Sequence, residues 1–389
     1  MKNMHFFTSI TTNYLPKARV LANSVKKNCE NSWFILVVCD NLPNDFNLEK
    51  EPFDEVWTIE SLGLPVENLN MWIFQHTVVE LCTAVKGQAM LNLLNKYEKC
   101  VYLDPDMVVF DSLKELENLL DSHDIILTPH VTHKEEEEQH IRNNEIASLR
   151  YGAYNLGFLA VKRNENGLEF VTWWRDRLCK YCFDDIPGGL FTDQKWIDLA
   201  PGLFEGVYIL RDPSYNVATW NITWRKISNL DGKYKVNNID LKIYHFSGFD
   251  SGAQEIMLKV NGGNNQALWN LREQYILEQE KNGQKELGSL KGKFDTFDNG
   301  EIISKDMRVL MRNRLDLQDY FKEKNPFCSV GEKSYYNWYK NNVSFRLDDE
   351  TLDEKSKKIL ELENELNRLR KMISPLQQIK KILKKFLKR

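Results

Sequence analysis

The chain has 389 residues, of which 42% are hydrophobic and 28% charged, the balance of a soluble globular protein that buries a core rather than of a disordered one. The net charge of −4 argues against a general nucleic-acid binder, and because no acidic residue follows Lys371 the body is more acidic than the total implies. No apolar run has the length to span a bilayer, the start leads into a strand-like segment instead of a signal-peptide core, and seven cysteines without framework spacing fit a reducing cytosol.

His5-Phe6-Phe7-Thr8-Ser9-Ile10 predicts a first strand, and residues 16–25 a helix with Pro16 in its opening turn. The apolar run 33–39 predicts a strand covered on both faces. A short strand at 55–59 and a long amphipathic helix at 77–97 follow. Val101-Tyr102-Leu103-Asp104-Pro105-Asp106-Met107 then predicts a buried strand with two carboxylates at its C-terminal end. Next come a helix at 113–120, a strand at 124–128 and a polar, acidic insertion at 133–150, helical or mobile. A strand at 154–161, an aromatic-rich helix at 168–182 and a last strand at 241–246 complete the pattern. This alternation indicates an α/β fold with a parallel, nucleotide-binding type of sheet.

These signals place a first domain at residues 1–270, and a linker with an aromatic-rich helical appendage at 271–350. Leu352, Ile359, Leu362, Leu366, Leu369 and Ile373 keep heptad spacing, which predicts a coiled coil over 351–374 and a homo-oligomer. Ile379, Ile382, Leu383, Phe386 and Leu387 form a stripe among lysines, which predicts a basic amphipathic helix at 375–389 on an anionic membrane surface. A cytoplasmic protein peripheral on the inner face of the cell membrane is the expectation. Cys179 and Cys182 form a lone Cys-x-x-Cys without metal-binding partners, and read as ordinary thiols.

Asp104 and Asp106 carry the chemistry. Open α/β sheets bind ligands at the C-terminal ends of their strands, and paired carboxylates there suit a hard divalent cation whose use is to bind a phosphate or diphosphate. Alone, one such Asp-x-Asp is expected about once by chance at this length. Its weight comes from its company.

That company is Thr11-Thr12-Asn13-Tyr14, Lys86, Tyr102-Leu103-Asp104-Pro105-Asp106, Tyr154-Asn155-Leu156-Gly157, Thr192-Asp193-Gln194 and His245-Phe246-Ser247-Gly248, in this order. Over about residues 3–250 the set resembles the GT-A glycosyltransferases of family 8, which include bacterial lipopolysaccharide and polysaccharide enzymes. The resemblance implies a Rossmann-like mixed sheet, a UDP-sugar donor, a glycan or lipid-linked acceptor and Mn²⁺ or Mg²⁺ as cofactor. It implies Asp104, Asp106 and His245 as metal ligands, with the nitrogen tilting the choice toward Mn²⁺. Thr8, Asn13 and Tyr14 fall near the base, Lys86 faces the donor, and Asn155 and Gly157 fall where the transferred sugar is cradled. Asp193 and Gln194 fall closest to the sugar, as the catalytic pair. An amide is a poor nucleophile, so a front-face, retaining displacement is preferred to a covalent glycosyl-enzyme.

One departure stands out. The family motif continues past the glycine to a lysine that binds the diphosphate, whereas Phe249-Asp250-Ser251-Gly252 follows here; Lys259 or Arg225 is a candidate replacement. Phe297-Asp298-Asn299-Gly300-Glu301 resembles an element of a bacterial polysaccharide subtype. Two rival readings are a haloacid-dehalogenase-type phosphatase, for which Met107 and Val108 stand where a Thr and Gly are needed, and a carbohydrate-binding scaffold assembled by the coiled coil. His130 and His133 beside the run Glu135 to Glu138 read as a second metal site or, preferably, a charged mobile lid.

Overall fold

The computed structural model describes residues 4–344. The coiled coil and basic helix expected beyond residue 350 lie outside the described residues. Among those described, no helix is long and apolar enough to cross a membrane.

The core is a seven-stranded mixed sheet. Its strands are β1 His5–Ile10, β2 Trp33–Val38, β3 Glu55–Thr58, β4 Lys99–Leu103, β6 Ile125–Pro129, β7 Tyr154–Lys162 and β8 Val207–Ile209; the intervening β5, Met107–Val109, lies outside it. In space they run β8-β6-β7-β4-β1-β2-β3. β1 pairs in parallel with β2 and β4, and β2 with β3. β7 is antiparallel to both β4 and β6, which the alternation of strand and helix did not reveal. The edge strand β8 and a small antiparallel sheet at Ile227–Leu230, Lys233–Val236 and Ile239–Asp240 were likewise not foreseen, being short and bounded by polar turns.

Each face of the sheet is covered for a readable reason. Along β1 the side chains alternate, so Phe6 and Ile10 join Leu15, Ala18, Leu21 and Val25 of helix Leu15–Asn28 in one apolar cluster. On the opposite face Phe7 meets the Tyr102 ring at 5.0 Å, and the Ser9 hydroxyl donates to the Cys82 carbonyl at 2.7 Å. The turn between β1 and its helix is held by Asp40, which accepts from the Thr12 amide at 2.9 Å and the Thr12 hydroxyl at 3.0 Å.

The long helix expected at 77–97 is two, Val78–Ala84 and Lys86–Leu94, meeting at Val85, whose ψ of −17° tightens the turn locally. Thr77 and Glu80 form a reciprocal capping box at the first. The second crosses helix Glu165–Tyr181 with its backbone almost in contact at Gly87.

Packing divides the described chain into two units. The first comprises residues up to Thr296 together with Ile302–Arg314. Within it, Arg308 and Arg312 of helix Lys305–Asn313 are bound into the core: Arg308 donates to the His76 carbonyl at 2.7 Å, and Arg312 pairs with buried Glu80 at 2.9 Å. The second unit contains Phe297–Glu301 and the described residues from Leu315 onward, with Phe321 and Tyr335 buried and Lys340 paired with Glu301 at 2.7 Å.

A methyl group at Gly87 would lie 2.7 Å from the Arg175 Cα, a backbone atom that cannot swing aside. Gly→Ala in a helix ordinarily gains about 1 kcal/mol. Gly87→Ala is expected to reverse that sign and cost about 1–3 kcal/mol, read as a lower Tm by calorimetry; a raised Tm would show that the two helices separate freely.

Candidate active site

β4 ends at Leu103, and Asp104-Pro105-Asp106 turns the chain into β5. The turn is closed by the Met107 amide donating to the Asp104 carbonyl at 3.0 Å, and tied to β7 by the Asp104 amide donating to Gly157 at 2.8 Å. β5 pairs antiparallel with β9, Ile243–His245, in a register that sets His245 opposite Met107. Two segments far apart in sequence thus bring three ligand groups together. His245 Nε2 lies 3.1 Å from Asp106 Oδ1 and 3.8 Å from Asp104 Oδ2. One ligand atom from each residue falls within 4.8 Å of the others, so the three can hold a metal ion. Among the described residues this is the only such group; His130, His133 and the neighbouring glutamates form none.

The donor set fits a metal in its tautomer as well. Asn155 Oδ1 accepts from the Gly157 amide at 3.2 Å and from Asn216 Nδ2 at 3.0 Å, so this atom is the oxygen. His245 Nδ1 lies 3.2 Å from it and 3.3 Å from Asn216 Oδ1, and must carry the hydrogen. The Nε2 lone pair is then the one left for a cation. Burial lowers the His245 pKa, but the Asp106 and Asp104 charges outweigh it and raise the value above that of a free imidazole. Burial acts the other way on Asp106, and His245 outweighs it, holding this carboxyl below its usual range. Gly157 makes room for the ring: a Cβ there would sit 2.6 Å from His245 Cε1.

Beside the ligands lies a buried cation. Lys86 Nζ is 3.2 Å from Asp104 Oδ1, 3.0 Å from Asp193 Oδ2 and 3.1 Å from the Leu156 carbonyl, and 4.1 Å above the Tyr102 ring. The Tyr102 hydroxyl donates to the same Asp104 oxygen at 2.6 Å. Asp104 therefore spends Oδ1 on Tyr102 and Lys86 and turns Oδ2 toward His245. Burial raises the Asp193 pKa, and the Lys86 charge offsets it only in part. Burial lowers that of Lys86, yet Asp104 and Asp193 keep it above the ordinary lysine value. Thr192, just before Asp193, holds φ at +45°, a strained conformation for a β-branched residue that fixes where Asp193 points.

Two cavities meet at Lys86 and Asp104. The larger, about 650 Å³, is lined by Asp193, Gln194, Asn155, His130, Trp220 and His245 among others. The smaller, about 210 Å³, runs between Ser9, Thr11, Tyr14, Cys82, Pro105 and Asp106. Gln194 is held at both ends of its amide: Oε1 accepts from Asn155 Nδ2 at 3.3 Å and the Leu156 amide at 3.2 Å, and Nε2 donates to the Tyr151 carbonyl at 3.0 Å.

Several expectations change. Thr8 is wholly buried in β1, its hydroxyl without a partner, and lines neither cavity; Ser9 and Thr11 do. Asn13 lies in a neighbouring cavity with Lys17 and Asp250. Asn155 spends its amide on protein groups. Arg225 is buried and donates to the Tyr215 carbonyl at 2.9 Å, and Lys259 pairs with Glu255 at 2.7 Å on its own helix, so neither replaces the missing lysine. The run at 135–138 is not a uniformly solvated lid: Glu135 is buried, accepting from Asn144 Nδ2 and Thr223 Oγ1, each at 2.7 Å, and from Trp224 Nε1 at 3.2 Å. Cys179 and Cys182 are buried free thiols.

Sequence reasoning missed Asn216 and Tyr102. Asn216 sits at φ +48° between two buried residues, and an isolated Asn in a loop carries no local sign of a long-range partner. His130 was singled out for another role. Here its Nε2 faces Asn155 Nδ2 at 3.2 Å and its ring meets Trp220 at 5.4 Å; burial lowers its pKa to about 4, so it is neutral near pH 7.

No family model matches the chain. It is 23% identical over 257 residues to the uncharacterized protein YfnD of Bacillus subtilis (strain 168), covering 64% of this chain and 79% of that protein. With the uncharacterized protein YfnF of the same organism it shares 28% identity over 181 residues, 44% of this chain and 57% of that one. Among solved structures, the galactosyltransferase LgtC in complex with donor and acceptor sugar analogs aligns with TM-score 0.37 and 18% identity, covering 74% of this chain and 97% of that one. The glycosyltransferase GlyE of Streptococcus pneumoniae TIGR4 aligns with TM-score 0.39 and 13% identity, covering 76% and 67%.

Asn216→Gly keeps the left-handed backbone and removes the amide that holds His245. Its Mn²⁺ affinity is expected to fall about 10- to 100-fold, measured by calorimetric titration; an unchanged affinity would mean that Asn155 alone orients the ring.

Proposed function

We propose that the chain is a metal-dependent glycosyltransferase of the GT-A, family 8-like type, moving a sugar with retention from a UDP-sugar to a glycan or lipid-linked acceptor in bacterial surface polysaccharide synthesis. The observation that carries this reading is the Asp104–Asp106–His245 ligand set opening beside the buried Lys86–Asp193 pair. Asp104, Asp106 and His245 would hold the cation, which supplies Lewis-acid stabilisation of the diphosphate leaving group, and the nitrogen ligand favours Mn²⁺ over Mg²⁺.

The residues divide the remaining work. Tyr14 offers an aromatic face in the smaller cavity, which suits the base. In the larger, Lys86 neutralises Asp104 and Asp193 and leaves the free Asp193 valences to sugar hydroxyls. Gln194, held at both ends of its amide, is a positioning group and not a nucleophile. Front-face displacement asks only for placement and charge stabilisation, with the departing phosphate accepting the acceptor's proton. Residues 351–374 and 375–389 would add self-assembly and attachment to an anionic membrane. The contacts of Asp104 speak against the phosphatase reading: one oxygen is held by Tyr102 and Lys86 while the other faces His245, a poor arrangement for a nucleophile.

UDP with Mn²⁺ is expected to raise Tm, by the equivalent of about 2.7 kcal/mol at a hundredfold excess over Kd, and Asp106→Ala to abolish the rise. No response to any nucleotide sugar would sink the reading. A covalent sugar trapped on Asp193 or Gln194 would overturn the front-face route. Deleting residues 375–389 should lower binding to anionic liposomes in sedimentation while leaving nucleotide binding intact.

A further inference from the structure

The loop after His245 carries an acid where a lysine was expected, and the structure shows what that acid meets. Lys17, in the helix that follows β1, is 1% exposed, and its Nζ pairs with Asp250. The Tyr14 hydroxyl donates to the same Asp250 oxygen at 2.5 Å, and Lys17 Nζ lies 4.0 Å above the Tyr14 ring. Asp250 itself is half-exposed. A buried ammonium thus depends on one solvent-reachable carboxylate for its charge balance, an arrangement that is costly to leave open and simple to exchange.

A buried tyrosine packs behind the same loop. The Tyr275 hydroxyl is fully buried and has no hydrogen-bond partner. Its ring stacks on Phe246 at 3.8 Å and meets Phe249 edge-on at 5.4 Å, which sets it against the loop that bears Asp250. Burial raises its pKa, and the charges of Asp106 and Asp250 reach it and raise it further. Lys17 in turn helps hold the Asp106 carboxyl low. Tyr14 is the wall shared by the cavity that Lys17 and Asp250 line and the smaller cavity at Asp106.

Resting on the donor reading above, we propose that Asp250 is a built-in stand-in for an anionic oxygen of the nucleoside diphosphate. In the free enzyme its carboxylate neutralises Lys17. The incoming diphosphate displaces it and takes Lys17, with the Tyr14 hydroxyl, as partners. Lys17 is then the cation that the C-terminal motif lacks. Asp250 sets a threshold, because any phosphate must first displace its carboxylate from Lys17.

Calorimetric titration of the full chain in Mn²⁺, with UDP, UMP and inorganic pyrophosphate as probes, separates the possibilities. Asp250→Asn is expected to tighten UDP, UMP and pyrophosphate binding alike, about tenfold; Lys17→Met is expected to weaken UDP about tenfold. In the double variant the gain from Asp250→Asn should vanish, because the acid acts through Lys17. Weaker UDP binding by Asp250→Asn, or a gain that survives in the Lys17→Met background, would overturn the proposal and make Asp250 a structural latch. Tyr14→Phe, which keeps the ring, checks the site if Lys17→Met fails to fold: a loss of UDP affinity supports the exchange, and none overturns it. If the unaltered chain binds neither UDP nor pyrophosphate, the donor reading falls as well; if it binds them and Asp250→Asn changes nothing, this inference falls alone.

Discussion

Everything at the cleft floor follows from crowding three carboxylates, Asp104, Asp106 and Asp193, into a buried space. The Asp104 and Asp106 ligand atoms lie within 4.8 Å of each other, and two like charges at that separation repel by roughly 3–4 kcal/mol at an effective dielectric of about 20. The fold answers with a buried ammonium and a buried imidazole placed between the acids. Lys86 bridges Asp104 and Asp193, and His245, its pKa raised by Asp106 and Asp104, bridges the other side. His245 is also the group a divalent cation would use as a neutral ligand, so a metal would take up the same two acids that the imidazole already faces.

The sheet order makes this placement possible. β4 lies between β1 and β7, so the turn after β4 is flanked by the loop after β1 on one side and by Asn155 and Gly157 of β7 on the other. β7 runs antiparallel to β4, which is why its N-terminal end reaches the site, and why Asn155 and Gly157 stand opposite the carboxylates instead of at the far edge. The β5–β9 pair then delivers His245 from over a hundred residues away by register alone.

How much of this could be read from the chain depends on range. Asp104 and Asp106 are visible because their strand, turn and spacing are contiguous. His245 is legible through its run His-Phe-Ser-Gly, and Lys86 and Asp193 through their order along the chain. Asn216 was not, since it acts through contacts whose sequence separation leaves no local periodicity. Thr8 stays out of the smaller cavity for a simpler reason: strand alternation puts Phe6 and Thr8 on one side and Ser9 on the other, and Ser9 lines the cavity. The acidic run at 135–138 reads as solvated by composition, yet one member, Glu135, is an interior acceptor for three donors.

Counting hydrogen bonds settles what Asn155 contributes. A side-chain amide offers two donor hydrogens and two acceptor lone pairs. Asn155 Nδ2 faces His130 Nε2 and Gln194 Oε1, and its Oδ1 is approached by the Gly157 amide, Asn216 Nδ2 and His245 Nδ1. Both hydrogens are used and the oxygen is oversubscribed, so nothing is left for a sugar hydroxyl. The residue links the metal histidine to Gln194 through a single rigid group. With Asn155 saturated from within, the groups that the cavity of about 650 Å³ still offers include the charged pair Lys86 and Asp193, one N–H of Gln194 and the aromatic Trp220 on the wall.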